Sequence, residues 1–363
     1  MNEGTDMELI DRLNTQVVEM PELEQAFRQN NQGWLGSDCA FSLPLSKERV
    51  LWLFGDTFIG DSSSNSVSRS AATIINSTIG IQSGSLLSQS PSLRFYWQQH
   101  QGSPQSFFQN NSLPGYLWPL SAALVHGKLY VFTVRIVQSD VNFAFGFEQI
   151  GNEIICIDNP DDEPENWKMT PVSLPFIESG VSFASYALIE DDFLYIYGYR
   201  KEGKSWQSSL SLMIARVNIK QIPDISDMNN WQFLDGFTFQ WTDDIQNIRP
   251  VFQHSSTELS VSYLAKLDRY VLVHNAWKYP NSILIRLAET PFGPFSRSRI
   301  IYDCPEIKWD DQYFCYAAKA HPELAEEDDE IIISYMTNSK LLELCVNDVR
   351  IYYPRFIKLK VKI

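Results

Sequence analysis

The stretch VLWLFGDTFIGD, residues 50–61, indicates a buried strand that ends at a carboxylate. Residues 50–54 have the apolar and aromatic character of a strand that is covered on both faces. Asp56 follows Gly55 directly, at the point where such a strand should end. Four further segments of this type occur along the chain, namely KLYVFTV from Lys128, FLYIYGY from Phe193, RYVLVHN from Arg269 and EIIISYM from Glu330.

These five segments recur at similar intervals. Counted from Leu51 through Leu129, Leu194, Tyr270 and Ile331, the intervals are 78, 65, 76 and 61 residues. Each segment is preceded by a turn and another strand-like run, so that each unit contains a hairpin and further strand-like segments. Units of this length are typical of four-stranded propeller blades. The sequence therefore predicts an all-β fold, a five-bladed β-propeller. A pair of β-sandwiches would explain the strands but not their recurrence.

The domain organisation follows from the same units. Helical periodicity occurs only near the start, which predicts an N-terminal extension over residues 1–33 and a single propeller domain over residues 34–363. The final segment, VRIYYPRFIKLKVKI, leaves the fifth blade one outer strand short. NTQVVEM, residues 14–20, is the nearby segment with β-branched residues. We expect this segment to pair with the end of the chain and so to close the ring.

Composition narrows the class of partner. The chain has 29 basic and 44 acidic residues, a net charge of −15, which argues against nucleic acid or an anionic membrane as the partner. Aromatic residues make up 13% and include ten Trp, which suit sugar rings but also fill β-sheet cores. We find no run of membrane-spanning length and no apolar signal segment. We expect a cytoplasmic monomer that binds a carbohydrate or a small glycosylated molecule.

Cysteine and histidine spacing predicts no cofactor and no metal at the site. The five cysteines, at positions 39, 156, 304, 315 and 345, include no CxxC pair, and either free thiols or a Cys304–Cys315 disulfide is compatible with them. The five histidines lack ligand spacing, although a single ion in a central channel stays open. GYRKEGKS, residues 198–205, matches the phosphate-loop pattern, but the residues after it alternate as a strand, whereas that loop requires a helix.

The hairpins place polar side chains on one rim of the predicted ring. In a propeller blade, the start of the first strand and the end of the second lie on the same side. The turn of the first unit falls near Lys47, which makes Asp38 and Asp56 cross-strand neighbours roughly 5 Å apart. Two carboxylates this close repel each other, so one of them should have a raised pKa. Glu258 occupies the position in the fourth unit that corresponds to Asp38.

Further side chains belong to this rim in the same register. The candidates for substrate binding are Trp118, Tyr199, His274, Lys319, His321 and Asn338. We expect Trp118 to open the second unit, and Lys319 and His321 to open the fifth. Arg135 and Asn275 also reach the rim. Considered one at a time, these two residues and His274 are more often loop residues with hydrogen bonds inside the protein than ligand-binding residues.

Three acids on one rim carry a repulsion that folding alone does not require, which favours a function. Glycoside hydrolysis needs one protonated acid and one carboxylate that acts as base or nucleophile. We expect Glu258 to be the general acid, Asp38 the base or nucleophile, and Asp56 a group that orients Asp38 or tunes its pKa. Trp118 and Tyr199 are suited to stacking on a sugar face. A non-catalytic carbohydrate-binding or scaffolding propeller stays open, as does intracellular small-molecule chemistry.

The order and spacing of several motifs resemble a known family. These motifs are GSDCAFSLPL…LWLFGDTF, LWPLSAAL…KLYVF, LYIYGYR, STELSVSY, ETPFGPFS, AKAHPEL, SYMTNS and YYPRF. They resemble a family of glycosidase-like five-bladed propellers that includes endo-D-arabinanases and is similar to other furanosidases. The resemblance runs from about Trp34 to Phe356. It implies a glycoside hydrolase acting on a furanoside-type, arabinan-like glycan or glycoconjugate. Asp38 and Asp56 match the essential aspartates of that family, and Glu258 falls where related propellers carry a catalytic glutamate.

Overall fold

We describe the protein from a computed structural model, which covers residues 3–28, 32–60, 68–86, 92–139, 146–174, 180–203, 208–276 and 279–362. Strands dominate this part of the chain. Its α-helices are α1 (Glu3–Arg12), α2 (Pro21–Arg28) and α3 (Leu342–Asn347). Single turns of 3-10 helix lie at Pro164–Asn166, Ile219–Asp224, Met228–Asn230, Ile245–Asn247, Ala265–Leu267, Pro305–Lys308 and Pro322–Leu324.

The strands are numbered in chain order. The first fourteen are β1 (Asn14–Glu19), β2 (Trp34–Ser37), β3 (Phe41–Pro44), β4 (Arg49–Phe54), β5 (Thr57–Ile59), β6 (Thr73–Ile75), β7 (Thr78–Ser83), β8 (Ser92–Tyr96), β9 (Gln98–His100), β10 (Ser103–Gln105), β11 (Tyr116–Val125), β12 (Lys128–Gln138), β13 (Phe147–Ile157) and β14 (Met169–Leu174). The remaining strands are β15 (Val181–Glu190), β16 (Phe193–Lys201), β17 (Leu210–Asn218), β18 (Trp231–Asp235), β19 (Gln240–Thr242), β20 (Phe252–Ser255), β21 (Leu259–Leu264), β22 (Arg269–Ala276), β23 (Tyr279–Ala288), β24 (Arg299–Asp303), β25 (Tyr313–Ala320), β26 (Glu330–Ser339) and β27 (Pro354–Lys362).

Among the described residues, five antiparallel sheets contain four or more strands each. In chain order they are β3–β4–β7–β8, β11–β12–β13–β14, β15–β16–β17–β18–β19 with β20 beside β17, β21–β22–β23–β24, and β25–β26–β27–β1. We call them the first to fifth sheets. The five recurring segments of the sequence are the second strands of these sheets, β4, β12, β16, β22 and β26.

The first strands of consecutive sheets contact one another. β3 packs on β11, β11 on β15, β15 on β21, and β21 on β25. The first and fifth sheets also meet, because Tyr316 of β25 bonds to Asp38 just before β3, and His321 just after β25 contacts Ser42 of β3. The fold is therefore propeller-like, with the first strands on the inside. This arrangement agrees with the predicted recurrence and not with two separate sandwiches.

Strand β4 shows why these segments form buried strands. Its alternate residues point to opposite faces, and both faces are covered. Leu51 and Leu53 pack into one apolar cluster together with residues of the second sheet, whereas Trp52 and Phe54 pack into another with α2 and the end of the chain. All four side chains are buried, and each stabilises the fold by about 1.5–3 kcal/mol. Burial on both faces explains the continuous apolar run that marks the strand in the sequence.

The fifth sheet is completed by the N-terminal segment. β1 pairs antiparallel with β27, from Asn14 opposite Lys362 to Glu19 opposite Ile357. This pairing confirms the strand predicted at residues 14–20. Helix α1 is tied to the fourth sheet through an ion pair of 2.6 Å between Asp6 and Arg269.

Two further sequence expectations concern local structure. The segment after the phosphate-loop pattern is the strand β17, as predicted, although residues 204–207 of this region lie outside the described residues. No helix in the part of the chain that the structure describes is long and apolar enough to cross a membrane.

Candidate active site

Asp38 and Asp56 lie side by side at one end of the first sheet. The amide of Asp38 donates to the carbonyl of Asp56 at 2.7 Å, and the amide of Gly55 donates to the carbonyl of Asp38 at 2.8 Å. These bonds continue the register of β3 and β4, in which Phe41 lies opposite Leu53. The two aspartates are therefore cross-strand neighbours, as predicted from a hairpin turn near Lys47.

The carboxyl group of Asp56 is held through one oxygen. Its Oδ1 accepts hydrogen bonds from the indole N–H of Trp118 at 2.7 Å and from Nδ2 of Asn76 at 3.0 Å. Trp118 stands near the start of β11, where the sequence places it, and Asn76 lies between β6 and β7. No donor among the described residues reaches the second oxygen of Asp56, which leaves Oδ2 available to a ligand.

The carboxyl group of Asp38 is held in the same way. Its Oδ1 accepts a short hydrogen bond from the hydroxyl of Tyr316 and a bond of 3.1 Å from the thiol of Cys39. Asn338 donates in turn to the Tyr316 hydroxyl at 3.0 Å, while its own Oδ1 accepts from the Cys345 thiol at 2.9 Å. Within the described part of the chain, Oδ2 of Asp38 likewise receives no hydrogen bond. Asn338 therefore lies behind Tyr316 and orients it.

The pKa values of all three predicted acids are raised. The pKa of Asp38 is raised to about 7, first by burial and then by the charges of Asp56 and Glu258, against the lowering effect of the hydrogen bonds from Tyr316 and Cys39. Burial also raises the pKa of Asp56, which the bonds from its two donors oppose. Burial raises the pKa of Glu258 as well. The three side chains are only half-buried, so a ligand can reach groups that protein atoms otherwise surround.

Glu258 stands between β20 and β21, at the start of the first strand of the fourth sheet. Its charge acts on Asp38 and on Tyr199, and raises the pKa of both beyond what burial alone does. Tyr199, near the end of β16, donates its hydroxyl to Gln149 at 2.6 Å. Three sheets thus bring the two aspartates, Glu258 and Tyr199 within electrostatic range of one another.

Lys319 and His321 lie elsewhere than the sequence suggests. β25 begins at Tyr313, so these residues come at and after its end and do not open it. Lys319 is 2% exposed, donates to the carbonyl of Leu120 at 2.8 Å, and lies 3.9 Å from the ring centre of Phe41. Burial lowers its pKa to about 7. The prediction that Lys319 sits on the rim is therefore wrong, and the lysine is an interior group of the ring.

His321 is fully buried and its ring is held by two serines. Nδ1 lies 2.6 Å from Oγ of Ser42, and Nε2 lies 2.7 Å from Oγ of Ser334. Burial lowers the pKa of His321 to about 3, so the ring is neutral. His321 is thus a structural link between the first and fifth sheets, and its predicted place on the rim is also wrong.

The other rim candidates of the fourth and second sheets are buried. His274 has no exposed surface and packs against Phe252, and burial lowers its pKa to about 3. Asn275 donates to the carbonyl of Ser282 at 2.8 Å. Arg135 forms a short ion pair with Glu153. The contacts of Asn275 and Arg135 are those of structural residues, whereas both ring nitrogens of His274 are buried without a hydrogen-bond partner among the described residues.

The sequence did not single out Tyr316 and Asn76, which hold the two aspartates. Tyr316 lies 278 positions from Asp38, so no local pattern connects them. Asn76 lies just before strand β7. Asparagine is common in such loops, so its position alone does not indicate a role.

A separate cavity of about 300 Å³ lies towards the other ends of the first strands. Its lining includes Ser42, Tyr186, Lys319 and Glu323, and it includes none of the three acids. The cavity is therefore distinct from the carboxyl cluster. Half-buried acids with raised pKa values are suited to exchanging protons with a bound ligand near neutral pH.

Comparisons with known proteins agree with the fold. The model of a family described as a domain of unknown function, DUF5005, matches residues 22–361. No curated protein matches the sequence. A crystal structure of a candidate hydrolase from Bacteroides ovatus ATCC 8483 is similar, with a TM-score of 0.72 and 16% identity over 95% of this chain and 90% of that chain. This similarity shows a shared fold.

Two further solved structures are similar at lower scores. A GH43_1 enzyme from Xanthomonas citri, complexed with xylotriose, has a TM-score of 0.48 and 14% identity over 94% of this chain and 93% of that chain. The alpha-L-arabinofuranosidase PaAbf62A from Podospora anserina, complexed with cellotriose, has a TM-score of 0.48 and 9% identity over 92% of this chain and 93% of that chain.

Proposed function

This chain belongs to the DUF5005 family, and we propose that it is a glycoside hydrolase acting on a furanoside-type, arabinan-like glycan or glycoconjugate. The observation that carries the proposal is the group of three half-buried carboxyls at one end of the inner strands. Two of them, Asp38 and Asp56, are each anchored through one oxygen, and the other oxygen of each receives no hydrogen bond from the described residues. The candidate hydrolase that shares the fold supports the reaction class.

The roles follow from the surroundings of each acid. Glycoside hydrolysis requires a proton donor for the leaving oxygen and a carboxylate that attacks or activates water. Glu258 comes from the fourth sheet, whereas Asp38 and Asp56 belong to the first, and its pKa is raised, so it is the proposed general acid. Asp38 receives two donors that stabilise its ionised form, so it is the proposed base or nucleophile. Asp56 raises the pKa of Asp38 and anchors Trp118.

Substrate binding is assigned to the aromatic side chains beside the acids. The indole N–H of Trp118 donates to Asp56, which fixes the position of the ring. The side chain is half-buried, so part of its surface is open to a sugar face. Tyr199 flanks Glu258 and completes the proposed site. A net charge of −15 suits an uncharged sugar better than a polyanion.

The architecture proposed for this function is a closed five-bladed propeller formed as one domain over residues 34–363, with residues 1–33 as the extension. The contacts of Tyr316 and His321 with the first sheet support closure. We also propose a monomer in a reducing compartment, which the five free cysteines support.

Turnover of a panel of aryl furanosides and arabinan tests the proposal. Replacement of Asp38 by Asn should lower kcat/KM by about 10²–10⁴-fold on every substrate. Glu258→Gln should be equally damaging on arabinan but much milder on nitrophenyl furanosides, because nitrophenolate leaves without being protonated. The exposed Asp158→Asn, which loses only a surface pair with Lys128, serves as the matched control.

Two results would contradict the proposal. Full activity of the Asp38→Asn variant would remove Asp38 from the chemistry. Tight binding of arabinan oligosaccharides without turnover by the unmodified protein would instead establish the carbohydrate-binding alternative.

A further inference from the structure

Three buried side chains with metal-binding chemistry meet at the joint between the fourth and fifth sheets. Cys304 precedes the 3-10 turn Pro305–Lys308, Glu306 lies within this turn, and Cys315 lies in β25. One ligand atom from each, two sulfurs and a carboxylate oxygen, all lie within 4.8 Å of one another. Each of the three residues is no more than 3% exposed.

The backbone around the cluster is fixed by one residue of the fourth sheet. The carbonyl of Asn281 accepts from the amide of Cys304 at 3.0 Å, and its side-chain oxygen accepts from the amide of Cys315 at 2.8 Å. Both cysteines are therefore held by the same asparagine of β23. The cluster is built into the joint and does not depend on the folding of an exposed loop.

The spacing of the cluster is close to that of the ligands of a tetrahedral ion. Sγ of Cys315 lies 3.8 Å from Oε2 of Glu306, which is too long for a strong hydrogen bond. Zinc–sulfur and zinc–oxygen distances of about 2.3 and 2.0 Å place two tetrahedral ligands about 3.5 Å apart. A movement of a few tenths of an ångström would therefore bring the sulfur and the carboxylate to one ion. The hydroxyl of Thr337 lies 3.6 Å from the same sulfur.

A cation is present beside the cluster. Two thiolates and one carboxylate carry −3, of which a divalent ion would offset two charges, and the guanidinium of Arg355, which also pairs with Glu24, lies 3.4 Å from Glu306. The hydroxyl of Tyr335 lies 3.2 Å from both oxygens of Glu306. A hydrogen-bonded carboxylate of this kind is typical of the groups that orient metal ligands.

We propose that Cys304, Glu306 and Cys315 form a binding site for a thiophilic divalent cation, with zinc as the best-fitting ion. The site joins the fourth and fifth sheets, and it lies apart from the three acids of the candidate active site. Neither the family description nor the spacing of the histidines assigns a metal to this chain.

Equilibrium dialysis of the reduced full chain against zinc tests this site, after prior removal of metal with a chelator. We expect one zinc per chain. Cys304→Ser and Cys315→Ser should each weaken zinc binding by at least about 100-fold, and Glu306→Gln by about 10-fold. Cys156→Ser is the matched control, because Cys156 lies in β13 of the second sheet and should leave binding unchanged.

A spectroscopic readout on the unmodified protein avoids any dependence on how well the variants fold. Cobalt(II) added in place of zinc should give the near-ultraviolet charge-transfer absorption of thiolate ligation, and zinc should abolish it. Two outcomes would overturn the proposal. One is cobalt binding without the charge-transfer band. The other is a chain that, before reduction, lacks two thiols and is joined by a Cys304–Cys315 disulfide.

Discussion

Ionisation of Asp38 lowers the stability of the fold, but Asp38 must be ionised to act as the proposed base. Its ordinary pKa is 3.8, and burial raises it to about 7 in the folded chain. Between these two values the folded protein holds a proton that the unfolded chain has released, so stability falls as pH rises through this window. Above pH 7 the full cost of the buried charge is present. A base must nevertheless be ionised to act.

Asp38→Asn should therefore lower kcat/KM by about 10²–10⁴-fold and leave the fold slightly more stable at alkaline pH. The amide has no charge to bury, so the variant should melt at the same temperature as the parent near pH 4 and a few degrees higher at pH 8. Thermal unfolding followed by circular dichroism at both pH values measures the difference. A variant less stable than the parent at pH 8 would mean that the ionised Asp38 stabilises the fold.

Tyr316→Phe should shift the pH profile without removing any acid. The Tyr316 hydroxyl lowers the pKa of Asp38, so its loss should move the acidic limb of kcat/KM upwards by about one pH unit. Tyr313→Phe is the matched control on the same strand, because it removes a hydroxyl that bonds to Asp348 at 2.6 Å. An unchanged limb in the Tyr316 variant would show that this bond does not tune the base.

At the scale of single elements, Gly198 governs how the third sheet presents Tyr199. A Cβ atom at position 198 would lie 1.9 Å from the carbonyl oxygen of Ser182, so only glycine permits this approach. Gly198→Ala should lower the free energy of unfolding by about 2–3 kcal/mol and weaken substrate binding. Gly151→Ala, in β13, is the control because its nearest contact is an ordinary 3.9 Å. Urea unfolding of both variants measures the contrast, and equal stabilities would contradict it.

The fifth hairpin shows where prediction from sequence stops. The Asp38–Asp56 pair could be predicted because the short hairpin keeps its register up to the two aspartates, although Cys39 between Asp38 and β3 has a positive φ of 62°. In β25 the register shifts between Tyr316 and Lys319, and Ala317 has a positive φ of 56°. Such an irregularity breaks the period of two, so the pattern of residues could not show that Lys319 lies at the end of the strand.

At the scale of the whole molecule, the recurrence of five strands predicted the five sheets, because each unit repeats the same covered second strand. Contacts between distant units were not predictable in this way. Tyr316 meets Asp38 only because the fifth sheet packs beside the first. Distances along the chain carry no information about such a contact, which is why the acids and Trp118 could be named from sequence but the bond from Tyr316 to Asp38 could not.

Removal of residues 1–20 should test how far the molecule depends on its N-terminal strand. The deletion exposes the edge of β27 and removes the Asp6–Arg269 pair. The melting temperature should fall markedly, and ligand binding should be lost because the fifth sheet no longer holds its place against the first. Differential scanning calorimetry and oligosaccharide titration are the measurements. An unchanged melting temperature would identify this segment as a loose appendage.

A pair of point variants separates strand pairing from the mere presence of the segment. Val17 packs against the apolar cluster of the fourth and fifth sheets, whereas Val18, on the opposite face of β1, is 45% exposed. Val17→Asp should be strongly destabilising and Val18→Asp nearly neutral, as thermal unfolding would show. Equal effects of the two would contradict the observed register.

The β1–β27 pairing also determines when the fifth sheet can be completed during synthesis of the chain. Glu19 and its partner Ile357 are 338 positions apart. At a translation rate of about 5–20 residues per second, β1 leaves the ribosome roughly 20–70 s before the strand that receives it. Throughout that wait the nascent chain displays an unsatisfied strand edge to chaperones and to neighbouring nascent chains on the same messenger. Arrest of synthesis before β27 should therefore yield a chaperone-bound intermediate in which the acids have not yet been assembled.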